Sequence, residues 1–261
     1  MATATIGDIT IGYEDEGAGD TLVLVHGHPF DRSMWRPQVA RLSRAGWRVI
    51  APDLRGYGES TVVPGKTTLD VFARDVAGLL DRLGVERFVL GGLSMGGQVV
   101  LECHRLFAHR LRGLVLADTS APADTPAMRG WRRSTAERLL REGMGPYAEE
   151  VLHKMVSRSA PPEVAAHVLG MMRGTDPAGA AAALRGRAER PDYVAMLAGV
   201  AVPALVVVGA DDEFTPLADA RLMSDALPDA TLVVVEGAAH MPNLERPADF
   251  DGALQAFLKA L

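Results

Sequence analysis

The chain has 261 residues and carries 27 Lys and Arg against 33 Asp and Glu, a formal net charge of −6. That acidic balance gives no basic footprint for nucleic acid or an anionic membrane surface, and 48% hydrophobic with 23% charged residues is globular composition that excludes a disordered chain. Cys103 is the sole cysteine, so an intrachain disulfide and a zinc cluster of thiolates are both excluded.

In chain order, residues 9–14 followed by Gly17-Ala18-Gly19-Asp20 predict an antiparallel hairpin with the strand that starts at Thr21. Runs rich in Val, Leu and Ile at 21–25, 48–51, 87–91, 114–117, 204–209 and 231–235 have strand length and are bounded by Gly, Pro or Asp. Continuous apolar runs of this kind fit strands buried on both faces, hence a mostly parallel sheet. Helix-length amphipathic stretches lie between them at 35–45, 69–83, 98–107, 217–227 and 248–258. Strand alternating with helix implies right-handed crossovers and an open α/β sheet flanked by helices. From 126 to 199 the rhythm breaks: no strand is predicted, only helical segments punctuated by Pro and Gly. The expected organisation is a core of residues 1–125 and 200–261, with 126–199 inserted as a helical cap after the strand near 111–117. No apolar run nears the roughly 18 residues needed to span a bilayer. The first basic residue is Arg32, so no charged n-region of a secretory signal precedes it. Together these predict a cytoplasmic protein with neither membrane nor nucleic acid as partner.

Gly92-Leu93-Ser94-Met95-Gly96 has the G-x-S-x-G form of a nucleophile elbow, with an apolar strand before it and a helix after it. The chemistry needs that context, because a serine at a strained strand-to-helix turn projects its hydroxyl clear of the sheet. Such a serine requires a base, and the base an orienting acid, in the order Ser, Asp or Glu, His. Of the histidines after Ser94, His104 and His109 fall on or just past the following helix, and His153 and His167 fall in the cap. His240 follows the last strand, in a loop that opens at the same sheet edge as Ser94, and is the expected base. The acid should follow the preceding strand, where Asp211, Asp212 and Glu213 stand side by side; pattern alone does not choose among them. An oxyanion formed by attack needs donors fixed in advance, one of them the backbone N–H after the nucleophile, Met95.

With these residues the chain resembles the α/β-hydrolase superfamily over nearly its whole length. Within it, the similarity is to small-cap serine esterases, 3-oxoadipate enol-lactonase-like lactonases and the cofactor-free perhydrolases called haloperoxidases. The resemblance implies the acid in G-x-x-D-x-x-x-P, matched by Gly209, Asp212 and Pro216, and so selects Asp212. It implies the backbone N–H of His28, after His26-Gly27, as the second oxyanion donor, and gives Asp53-Leu54-Arg55-Gly56-Tyr57-Gly58-Glu59-Ser60 a structural role. Haloalkane dehalogenases and epoxide hydrolases also resemble the chain but place Asp where Ser94 stands. C–C hydrolases of aromatic catabolism share the Ser–Asp–His set but generally have glycine at the place of Pro29. The segment Met172-Arg173-Gly174-Thr175-Asp176-Pro177 and the residues around His240 look like enol-lactonases, whereas His26-Gly27-His28-Pro29-Phe30-Asp31 with Met34-Trp35 looks more like arylesterases and perhydrolases.

The expected function is therefore hydrolysis of carboxylic ester or lactone bonds in small, largely apolar molecules through an acyl-enzyme on Ser94. Perhydrolysis, C–C hydrolysis and ligand binding without turnover on the same scaffold are the alternatives. Neither a metal nor an organic cofactor is expected, since three side chains and two backbone donors complete the reaction. Phe30, Met34, Trp131 and Met241 are the candidates for an apolar acyl or alcohol pocket, weighed against ordinary core packing.

Overall fold

Residues 2–261 are described by a computed structural model. Strands β1 (Ala2–Ile6), β2 (Ile9–Glu16), β3 (Asp20–Val25) and β4 (Trp47–Pro52) precede the first long helices, α1 (Arg36–Arg44) lying between β3 and β4. Then α2 (Leu69–Arg82), β5 (Phe88–Leu93), α3 (Met95–Phe107) and β6 (Leu111–Ala117) alternate. Five helices follow without a strand: α4 (Pro126–Glu142), α5 (Met144–Met155), α6 (Pro162–Gly174), α7 (Pro177–Arg187) and α8 (Val194–Leu197). The chain returns to the sheet with β7 (Ala204–Gly209), α9 (Leu217–Ala226) and β8 (Ala230–Val235), and closes with α10 (Pro242–Glu245) and α11 (Pro247–Lys259).

All eight strands form one sheet in the order β1-β2-β4-β3-β5-β6-β7-β8, parallel from β4 through β8. The apolar runs are continuous because the sheet is buried on both faces. Along β3, Val23 and Val25 enter one core cluster while Leu22 and Leu24 enter the other. The same alternation divides Leu114 and Leu116 from Val115 and Ala117 in β6, and Val206 and Val208 from Leu205 and Val207 in β7. Helices α2, α3 and α9 contribute to the first cluster, and α1 and α11 to the second.

The amino-terminal edge differs from the predicted hairpin. Strand β2 turns back on β1 through Gly7 and pairs its other side antiparallel with β4, not with the strand beginning near Thr21. Both sides of β3 are taken by parallel neighbours, β4 and β5, so β2 is displaced outward. Strand β1 escapes sequence reasoning because Ala2-Thr3-Ala4-Thr5-Ile6 has little apolar weight, and of these only Ala4 is buried.

Candidate active site

The tight turn after β5 places Ser94 at φ 58°, ψ −117°, a left-handed conformation that a side-chain-bearing residue adopts only when its surroundings hold it there. The hold is visible: the Ser94 N–H donates to Ala117 O at 2.9 Å, and the Thr119 hydroxyl donates to Ser94 O at 2.6 Å. Gly96 permits the turn, because a Cβ there would stand 2.2 Å from the Val25 carbonyl oxygen. Gly27 brings the loop after β3 against the turn, where its Cβ would lie 3.2 Å from Ser94 Cβ. His28 therefore reaches the same cavity as Ser94. Met95 opens α3, where the first N–H groups have no intrahelical acceptor.

Asp212 follows β7 and His240 follows β8, so parallel pairing of these strands sets the two side by side. The His240 Nδ1 to Asp212 Oδ2 distance is 2.8 Å, and both side chains are buried. Asp212 Oδ1 accepts the Phe214 N–H at 2.8 Å and the Thr215 N–H at 3.3 Å, and its Oδ2 also accepts the Thr215 hydroxyl at 2.5 Å. Burial opposes ionisation of this carboxyl, but the facing His240, its hydrogen bond and the Thr215 and Phe214 donors outweigh it and hold Asp212 below the usual range. Asp211 and Glu213 on either side are exposed. The Phe214 ring lies 5.2 Å from the His240 ring.

Asp118, at φ 42° after β6, was not anticipated. Its Oδ1 accepts the Gly209 N–H at 2.8 Å, and burial together with the Asp212 charge pushes its carboxyl well above the usual range. Asp118, Asp212 and His240 are the group, among the described residues, whose ligand atoms lie close enough together, within 4.8 Å, to hold a cation. His26 and His28 are structural in their side chains. The His26 Nε2 accepts the Leu54 N–H at 2.9 Å, so its Nδ1–H donates to Gly27 O and the ring is neutral. The His28 Nδ1 pairs with the Tyr57 hydroxyl at 2.8 Å, which ties the loop after β3 to the 53–60 segment, while its buried Nε2 has no partner among the described residues. Asp53 organises that segment by accepting the N–H groups of Arg32 and Glu59.

Ser94, His28 and His240 line one cavity of about 470 Å³, roofed by residues of α4, α5 and α7. Trp131, Tyr147 and Met155 line it. Phe30, Met34 and Met241 do not: each is fully buried in the second core cluster, where bulky apolar side chains gain more from close packing than from facing a hydrated cavity. The lining also departs from the largely apolar pocket expected, for it includes Gln98, Asp124, Arg132, Arg187 and Arg190. Residues 179–184 of α7 are all buried, and Arg187 at the end of that helix is buried with them.

A sequence model described as the alpha/beta hydrolase fold matches residues 20–247. The chain belongs to the α/β-hydrolase fold family. Among solved structures of this family it is similar to an esterase from Thermogutta terrifontis with malate bound, at 42% identity and a TM-score of 0.95, covering 98% of this chain and 96% of that one. It is also similar to the enol-lactonase from Burkholderia xenovorans LB400, at 30% identity and a TM-score of 0.91 over 99% and 100% of the two chains. A 3-oxoadipate enol-lactonase of Acinetobacter baylyi is 28% identical over 98% of this chain and 96% of its own length. These relatives are an esterase and enol-lactonases of the same fold. No helix among the described residues of this chain is long and apolar enough to cross a membrane.

Proposed function

We propose that the chain is a serine hydrolase that cleaves small carboxylic esters or lactones through an acyl-enzyme on Ser94. The observation that carries this reading is the buried Asp212–His240 pair at 2.8 Å opening into the cavity that Ser94 lines. Asp212 accepts a hydrogen bond from the Nδ1–H of His240, which leaves Nε2 free to accept the Ser94 proton. Ser94 Oγ then bonds to the substrate carbonyl carbon, and the oxyanion is received by the backbone N–H groups of His28 and Met95. The tetrahedral centre collapses, the C–O bond to the leaving group breaks, and His240 returns its proton to that oxygen. Water repeats the sequence against the acyl-enzyme, giving the acid and restoring Ser94.

Residues 126–199 act as a cap in this reading, closing a cavity of about 470 Å³ over the nucleophile. A volume of that size favours small molecules over polymers and long lipids. A fluorophosphonate is expected to add one label per chain, and Ser94→Ala to abolish both the label and ester turnover. Labelling that persists in Ser94→Ala would remove the serine from this role.

A further inference from the structure

Of the three arginines on the cavity wall, two share one carboxylate. Asp124 accepts from Arg132 through both of its oxygens and from Arg190 Nη2 at 3.0 Å. Asp219, the second acid on the wall, acts on the Arg190 side. Lys154 at the rim is paired with the exposed Glu213 at 3.1 Å. Arg187 is left over. It is 7% exposed, its Nε donates to Gln98 Oε1 at 3.1 Å, and among the described residues no carboxylate lies within ion-pair distance of it.

A buried cation without a counter-ion is costly, because desolvation is not repaid by Coulomb attraction. Burial first, then Arg132 and Arg190, push the Arg187 guanidinium well below its ordinary value. Arginine nonetheless stays protonated in proteins, so the cavity holds an uncompensated positive charge. The place of that charge matters. Gln98 Oε1 receives Arg187, and Gln98 sits one helical turn beyond Ser94, its N–H donating to Ser94 O at 3.2 Å. Arg187 and Arg132 also act on His28, adding to the burial that lowers its pKa well below the usual value. Arg187 and Ser94 therefore line the same cavity, joined through Gln98.

We propose that Arg187 receives a carboxylate carried by the substrate, so that the ester or lactone this cavity prefers is itself an anion. This rests on the reading of Ser94 as nucleophile, and it replaces the largely apolar substrate expected from sequence. Guanidinium and carboxylate meet through two parallel N–H···O bonds, and among the described residues both terminal nitrogens of Arg187 are without an acceptor. Gln98 fixes the fork by holding Nε.

The test compares mono-p-nitrophenyl glutarate with p-nitrophenyl 5-methylhexanoate, in which an isopropyl group replaces the carboxylate. The wild-type kcat/KM is expected to favour the anionic ester, and Arg187→Met to lower the anionic-to-neutral ratio about 10- to 100-fold, the worth of a charge-assisted hydrogen-bond pair. Arg187→Lys keeps the charge without the fork and should fall between. Glutarate binding by Ser94→Ala, followed by calorimetry, reads the site without turnover and should vanish in Ser94→Ala/Arg187→Met. Equal kcat/KM for the two esters, or a ratio that Arg187→Met leaves unchanged, overturns the proposal even if Ser94 is labelled. Arginine-dependent glutarate binding with neither ester hydrolysed would sustain the carboxylate site and overturn the serine reading instead. Should Arg187→Met fail to fold, the Arg187→Lys ratio and wild-type glutarate binding decide.

Discussion

Asp212→Asn is the substitution whose outcome the geometry specifies most closely. Asparagine has the shape of aspartate, but one of its two terminal atoms is a donor. Asp212 Oδ1 faces the backbone N–H groups of Phe214 and Thr215, and Oδ2 faces the Thr215 hydroxyl and His240 Nδ1. Turning the new NH2 toward the two backbone donors would leave both unpaired, at a cost of about 1–3 kcal/mol for the buried Thr215 N–H alone. The amide oxygen therefore takes the Oδ1 place and the NH2 faces His240. There it donates to Nδ1, which moves the ring proton to Nε2, and an Nε2–H cannot accept the Ser94 proton. The expected loss is roughly 10⁴-fold in kcat, about 5.4 kcal/mol of barrier, with little change in KM. Steady-state hydrolysis of a soluble nitrophenyl ester measures it, and the rate of fluorophosphonate labelling of Ser94 should fall in parallel. Asp211→Asn, at an exposed position, is the control and should change kcat by less than about threefold. A loss under tenfold in Asp212→Asn, or a larger loss in Asp211→Asn, would refute the tautomer argument.

Asp118→Asn keeps an acceptor for the Gly209 N–H, suits the positive φ and replaces a carboxyl that burial and Asp212 push well above its usual range, so kcat should stay within about threefold. Asp118→Ala orphans that N–H and should lower stability by about 1–3 kcal/mol in a denaturant titration. Gly96→Ala forces a methyl to 2.2 Å from the Val25 carbonyl oxygen, backbone against backbone, and should cost about 3 kcal/mol or prevent folding, read as a fall in Tm. Stability should also decline below neutral pH. Burial lowers the pKa of His26, and burial with Arg187 and Arg132 lowers that of His28 further. The unfolded chain then binds the extra protons first, so stability is full above the unfolded value of about 6.5 and lost as pH falls below it, at roughly 1.4 kcal/mol per pH unit for each ring. Denaturant titrations at pH 7.5 and 5.5 that coincide would contradict this.

What the sequence by itself determined is what local pattern can carry. Apolar runs of strand length exist because β3, β5, β6 and β7 are buried on both faces, and the G-x-S-x-G turn is legible because only glycine tolerates the backbone contacts around Ser94. The same pattern set Ser94, Asp212 and His240 in the segments that follow β5, β7 and β8, all at one sheet edge. Tertiary structure decided the rest. Residue pattern left Asp211, Asp212 and Glu213 open until the resemblance to G-x-x-D-x-x-x-P picked Asp212. The fold adds the physical distinction, since Asp212 is buried against His240 and its two neighbours are exposed. The edge pairing of β2 depended on which strands had already claimed the two sides of β3, a competition between distant segments that no window of sequence records. Phe30, Met34 and Met241 read the same as any apolar wall, and only packing sent them to the core. Arg187 reads as one arginine among many, because its missing counter-ion is a property of what lies around it in space.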